Sequence, residues 1–210
     1  MSCTTSIEKN GTFEVSIKRS RFIGNCRRCT SEEDAKSFIR DVSAAFANAQ
    51  HNCWAFRVSN GSRETTNFSD AGEPHGSAGA PIIGAIEKLG LTNVAVVVTR
   101  YFGGTKLGIR GLIDAYGGTA LQCLKVGSIA KFCVGFEILL EMSYSQWSDM
   151  THLLNPGVDY TIEGVAYTDL VKARVLVMES SFSRLAGFLE ERRIQYSKGK
   201  QIELSHPVEQ

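Results

Sequence analysis

No excess of charge marks this chain. Its 210 residues carry 23 basic and 22 acidic side chains, a formal net charge of +1. That balance excludes a protein that holds nucleic acid chiefly through a global positive field, so any RNA contact must rest on local patches. The sequence has no apolar leader and no hydrophobic run long enough to span a bilayer. No membrane partner is therefore expected, and the six cysteines, at 3, 26, 29, 53, 123 and 133, are expected as reduced thiols of a cytoplasmic protein. Cys26-Arg-Arg-Cys29 has the spacing of half a zinc site, but a second paired cysteine motif is lacking and a closed site needs four ligands, so no metal is expected. Walker and dinucleotide motifs are absent too: Gly103-Gly104-Thr105-Lys106 lacks the required lead, and no cofactor is expected. Internal repeats and low-complexity tracts are missing as well.

What is present is an ordinary globular composition, 43% hydrophobic and 21% charged, able to pack a core without staples. The length suits one large domain or two compact ones, and the pattern along the chain divides it. Phe13, Val15 and Ile17 alternate with polar neighbours and Phe22-Ile23 follows a basic turn, predicting an opening β-hairpin. Ser31 with Asp34 resembles a capping box, and Ala35, Phe38, Ile39, Val42 and Phe46 recur at helical spacing, predicting a helix over 32–48. From His51 to Val58 the period is two, with Asn52, Trp54, Phe56 and Val58 as the expected core face and His51, Cys53, Ala55 and Arg57 opposite. The glycine-rich stretch 60–80 reads as loop, with Asn60-Gly-Ser62 and Asn67-Phe-Ser69 as turn chemistry.

Pro81 then opens a helix through Ile82, Ile83, Ile86 and Leu89 that Gly90 closes. Val94 to Val98 is continuously apolar and β-branched, the expected centre of a sheet, and another helix runs through Leu112, Ile113, Tyr116, Leu121 and Leu124. A first domain, 1–128, ends there. Over 129–210 the pattern reads strand, helix, strand, strand, helix, strand, the ferredoxin-like split βαβ order. The expected fold class is α+β in two domains.

Two loops collect the polar chemistry. The first, Ser69 to Pro81, sets Asp70, Glu73, His75 and Ser77 before a helix start, where unpaired amides favour an anion. The second, Arg100-Tyr-Phe-Gly-Gly-Thr-Lys-Leu-Gly108, follows the buried strand, where open α/β sheets gather ligands. Its Arg100 and Lys106 supply charge, and its glycines let a ligand approach the backbone. A plainer reading makes the glycines turn formers and pairs Arg100 with Asp70. Of Tyr101 and Phe102, adjacent at a strand end, one is expected to be buried and only the other to stack on a base.

Ser77, His75 and Asp70 spell nucleophile, base and orienter, yet neighbours on one loop rarely hold triad geometry. Asp70 and Glu73 as an acid–base pair compete with simple charge balance of Arg57 or Arg100. Lys18, Arg19, Arg21, Arg27 and Arg28 form a basic cluster that reads as a guarded sheet edge.

His51-Asn-Cys-Trp-Ala55, the loop from Ser69 to Pro81, Val97-Val-Thr-Arg100-Tyr-Phe-Gly-Gly104 and Lys106-Leu-Gly108 together resemble the YigZ/IMPACT family. The signature covers 51 to about 120, and the hairpin and second domain resemble its bacterial YigZ branch. The resemblance implies an N-terminal domain of ribosomal-protein type, a sheet backed by helices like domain IV of elongation factor G, before the ferredoxin-like C-terminal domain. Eukaryotic relatives are associated with control of translation initiation under starvation, through a regulator of the responsible kinase.

His51, Asp70, Gly72, Glu73, Gly76, Gly79, Arg100, Tyr101, Gly103, Gly104, Lys106 and Gly108 match the family pattern. Ala71 stands where an acid is usual, and His75 where a small polar residue is usual. In Ile109-Arg110-Gly111-Leu112-Ile113-Asp114-Ala115-Tyr116 the basic residue sits one helical turn nearer the loop than the family has it, with Asp114 in its place. Arg110 and Asp114, four apart, are expected to share a face where they can pair.

The expected function is a non-catalytic, monomeric regulator that binds RNA, the ribosome or a translation-regulating protein. Its expected binding residues are His51, Arg57, Asp70, Glu73, Ser77, Arg100, Tyr101, Gly103, Gly104, Lys106 and Arg110. One alternative is a small-molecule or hydrolytic enzyme, which requires a concave pocket where Asp70, Glu73, His51 and Arg100 converge. A second is a protein-binding adaptor, which requires an exposed apolar patch.

Overall fold

The computed structural model describes residues 3–59, 63–157 and 159–208, with the backbone alone at 206 and 207. Asn60-Gly-Ser62 lies outside them. Two compact units result: Thr4–Lys131 with 206–208, and Cys3 with Phe132–Ser205.

The larger unit holds β1 (Thr4–Ile7), β2 (Gly11–Ile17), β3 (Ser20–Arg28), α1 (Glu32–Ala45), β4 (His51–Ser59), β5 (Glu64–Ser69), α2 (Gly79–Lys88), β6 (Val94–Tyr101) and α3 (Gly108–Val126). The predicted hairpin is β2–β3, paired from Gly11↔Cys26 to Ile17↔Ser20. Its two-residue turn is Lys18-Arg19, with φ of 46° and 67°. Ser31 caps α1, its hydroxyl accepting the Asp34 N–H at 3.1 Å.

The sheet order is β2-β3-β6-β4-β5. β6 is the central strand, buried along its length to Arg100, because both faces are covered. On one side Val94, Val96 and Val98 meet Ile82 and Ile86 of α2 and Tyr116, Ala120 and Leu124 of α3; on the other Ala95 and Val97 meet Phe38 and Ile39 of α1. The face of β4 opposite its aromatic residues is therefore core as well: Cys53 and Ala55 are fully buried, as is Phe56 on the aromatic face, with Val58 beside it buried too. Cys26 and Cys29 fall into different cores, on opposite sides of the sheet.

The strands β5 and β6 depart from the sequence reading. Asn67-Phe-Ser69 is not a turn but part of β5, an edge strand paired with β4 from Trp54↔Ser69 to Ser59↔Glu64. Every pairing of β6 is antiparallel, with β3 and with β4. The rule that places ligands beyond parallel strand ends therefore does not apply to the loop after β6.

The smaller unit runs β7 (Ile129–Met142), α4 (Tyr144–Leu153), β8 (Thr161–Tyr167), β9 (Val171–Met178), α5 (Glu179–Glu191) and β10 (Gln195–Pro207). Its sheet follows β7-β9-β8, with β10 also on β7. Ile138 and Leu140 of β7 and Val171, Ala173, Val175 and Val177 of β9 face α4 and α5 through Met150, Leu185 and Leu189. Ser143 and Gln146 close a capping box at the start of α4. Cys3 and Cys133 are joined by a disulfide, whereas Cys26, Cys29, Cys53 and Cys123 are free and buried. The expectation of six thiols is corrected to four: Cys3 pairs with Cys133 of β7 from 130 residues away, a long-range choice that local sequence could not indicate. No described helix is long and apolar enough to cross a membrane.

Candidate functional site

Register brings the signature residues together. Phe22 of β3, Arg100 of β6 and His51 of β4 lie side by side across three strands. By strand alternation Arg100 follows Val96 and Val98 toward α3, and a cation cannot enter that core unpaired. Glu73 supplies the partner: its Oε1 accepts from Arg100 Nη1 at 2.6 Å and from the Tyr116 hydroxyl at 2.8 Å. The Arg100 side chain is 7% exposed and that of Glu73 4%. Phe22 and Phe102 flank the guanidinium, each ring centroid 5.5 Å away, and Nη2 reaches Ser20 Oγ at 3.4 Å. His51 Nε2 stands 3.9 Å from the same Glu73 oxygen, and its Nδ1 contacts the Ala71 carbonyl at 2.9 Å.

Asp70 does not pair with Arg100. It turns to the start of α2, where Oδ1 accepts the amides of Ala78 at 3.0 Å and Gly79 at 2.8 Å, and Oδ2 accepts that of Gly76 at 2.8 Å. Burial pushes the Asp70 carboxyl up, but the amides of Gly76, Gly79 and Ala78 together hold it below its ordinary value. The amides that seemed to offer an anion site thus already hold the chain's own carboxylate. The loop can curl back this way because Ala71, Gly72 and Gly76 all take positive φ.

Ser77 is fully buried and donates its hydroxyl to the Pro74 carbonyl at 2.6 Å. The His75 ring is fully exposed, its Nδ1 3.8 Å from Asp70. Neither arrangement sets a base on the serine. Cys53 donates its S–H to the Asp70 carbonyl at 2.9 Å, and burial pushes its thiol up to about 12, far from a nucleophile at neutral pH. Burial also pushes the Tyr116 phenol well above its ordinary range.

Arg57 lies apart from this cluster, paired with Glu64 at 2.9 Å. Tyr101 is half-buried, its hydroxyl bound to Asn48 at 2.7 Å, while Phe102 is 47% exposed. The Phe102 amide donates to Gln50 at 3.0 Å and the Gly103 amide to Ser20 at 3.2 Å. Gly104, Lys106 and Arg110 are exposed. Among the described residues no ion pair joins Arg110 to Asp114, so that expectation is corrected: the two share a helix but both stay in solvent.

Cavities of about 780 Å³, between Leu139, Glu163, Arg174 and Tyr196, and about 380 Å³, between Pro81, Lys88, Ile113 and Gly117, are lined by none of Asp70, Glu73, His51 or Arg100. Sequence reasoning placed no weight on Tyr116, Ser20, Asn48 and Gln50, which fix the network. Tyr116 sat inside an apolar helical stripe, and the others in unremarkable polar positions.

Comparison with known proteins agrees with the signature. The IMPACT family member YvyE of Bacillus subtilis is 30% identical over 87% of this chain and 76% of its own length. The IMPACT family member YigZ of Escherichia coli is 36% identical over 68% of this chain and 71% of its own. The crystal structure of a hypothetical protein superposes with a TM-score of 0.62 at 30% identity, covering 93% of this chain and 97% of that one. With the Impact N-terminal domain matched over residues 18–124 as well, the chain belongs to the IMPACT family.

Proposed function

We propose that this chain is a non-catalytic cytoplasmic regulator that binds RNA on or near the translation apparatus through the loop after β6. One observation carries the reading. Asp70, Glu73 and Ser77 of the first loop are spent inside the fold, whereas Lys106 and Arg110, and Lys18 and Arg19 of the β2–β3 turn, are exposed and have no ion-pair partner among the described residues. Phosphate is the ligand chemistry that suits unpaired cations beside exposed backbone. The association of eukaryotic relatives with translation control, which the family resemblance implies, supports the setting.

Arg100, Asp70, Glu73 and Ser77 then act as supports of the loops, and His51 packs against them. The strand order β10-β7-β9-β8 supports a ferredoxin-like type for 129–210, and the five-stranded sheet backed by helices supports an IMPACT-type domain for 1–128. A second reading, a protein-binding adaptor, draws on Ile109 and Ile113, 63% and 40% exposed one turn apart on α3.

The test is co-sedimentation with ribosomes and with RNA across a salt series, comparing wild type with Lys106→Ala/Arg110→Ala. These two side chains are exposed, so their loss leaves the buried network intact. Binding that falls with salt and weakens in the variant is expected. Binding by neither form sinks the reading and favours the adaptor.

A further inference from the structure

The β2–β3 turn and the loop after β6 are locked together through their backbones. A Cβ on Gly103 would collide with the carbonyl group of Arg19 and come within 2.5 Å of the Ser20 nitrogen. Hydrogen bonds from Tyr101 to Asn48, Phe102 to Gln50 and Gly103 to Ser20 hold the loop in place. With those groups turned inward, Phe102 is left as an exposed ring, backed by the buried Arg100 guanidinium and standing next to the residue that touches the turn.

The turn itself has a composition that local folding does not explain. Both central residues of a two-residue hairpin with positive φ favour Asn-Gly, because a β-carbon is crowded there. This chain puts Lys18 and Arg19 at those positions. Protection of a sheet edge does not account for them either: the edge strand β2 itself carries no cation, and these two lie beyond the last paired residues, Ile17↔Ser20. Arg21, by contrast, is neutralised by Glu14 at 2.7 Å.

We infer that Phe102 is a stacking platform for an unpaired base and that Lys18, Arg19, Lys106 and Arg110 track the phosphates on either side of it, so that the ligand is a single strand of nucleic acid. This rests on the RNA-binding reading above and specifies its substrate. A base can reach a single exposed ring only when it is free of its partner, and such stacking is tolerant of sequence. Arg19, whose backbone touches Gly103, and Lys106 on the same loop as Phe102 supply charge opposite to that of the strand.

The experiment is fluorescence anisotropy with a labelled uridine dodecamer, an RNA duplex of equal length and the corresponding DNA strand, at low and physiological salt. Wild type is expected to favour the strand over the duplex by about 10-fold or more. Phe102→Leu should lose about 10-fold on the strand and nothing on the duplex. Lys18→Asn/Arg19→Gly should weaken both and flatten the salt slope on the strand by about 1.4, while its melting temperature holds or rises because the new pair suits the turn. Equal binding of the DNA strand supports the platform without a role for the sugar. If Phe102→Leu binds the strand as wild type does, or the duplex is preferred, while Lys106→Ala/Arg110→Ala still weakens binding, the inference falls and the RNA-binding reading stands. If neither RNA form binds at low salt, that reading itself falls.

Discussion

The carboxylate of Glu73 and the guanidinium of Arg100 meet at 2.6 Å inside the larger unit, and the Tyr116 hydroxyl donates to the same oxygen. A buried pair of this kind is costly to break from one side, because the remaining charge is left in the core. Arg100→Met is expected to cost about 3–5 kcal/mol in urea unfolding, and Glu73→Gln a similar amount. The double variant should cost clearly less than the sum of the two, since each single change removes the same interaction. Additive costs would show that the pair is not coupled.

Asp70 gives the protein an acid limb. Its carboxyl is held below the ordinary value of 3.8 by three amides, so the folded state binds the proton less readily than the unfolded chain. The stability it contributes is fully present above the unfolded value and is lost as pH falls through the folded one, below about pH 4. Asp70→Asn keeps the shape but not the charge. It should lower stability at neutral pH by about 1–3 kcal/mol and flatten the dependence below pH 4, read from urea midpoints at each pH.

Gly103 and Gly104 are adjacent but not equivalent. A Cβ at Gly103 runs into the Arg19 backbone, whereas at Gly104 it meets nothing within 4 Å and only the φ of 84° opposes it. Gly103→Ala should cost about 3 kcal/mol or more, or displace the loop. Gly104→Ala should cost about 1 kcal/mol. Equal thermal shifts in the two variants would refute the close approach.

Thiol reactivity should divide the cysteines. Burial pushes Cys29 up to about 11 and Cys53 to about 12. Neither should take up iodoacetamide in the native protein near neutral pH, and both should do so on unfolding, as read by mass spectrometry. In a reducing compartment Cys3 and Cys133 become thiols. Cys3, which is exposed, should then alkylate well before Cys133, which is buried.

Most of the helices and strands were legible because apolar periodicity reports which faces are covered. Phe13, Val15 and Ile17 announced β2, the Ser31 cap and its stripe announced α1, and the run from Val94 announced the central strand. The signature loops were legible as motifs. What local sequence could not carry was long-range choice. β5 was missed because it is an edge strand, Glu64-Thr-Thr-Asn-Phe-Ser69, with no buried residue and so no core face to alternate. The antiparallel neighbours of β6 depend on which distant segments pair with it.

The site followed the same division. Sequence alone determined that charge, aromatic rings and glycines would gather around two loops, since those residues are adjacent in the chain. Only the tertiary structure decided that Glu73 rather than Asp70 meets Arg100, because the loop's positive-φ residues curl Asp70 back onto the amides at the start of α2. It also decided that Phe102 faces outward, because Asn48 and Gln50, fixed by the register of β4 on β6, hold Tyr101 and the loop backbone in place.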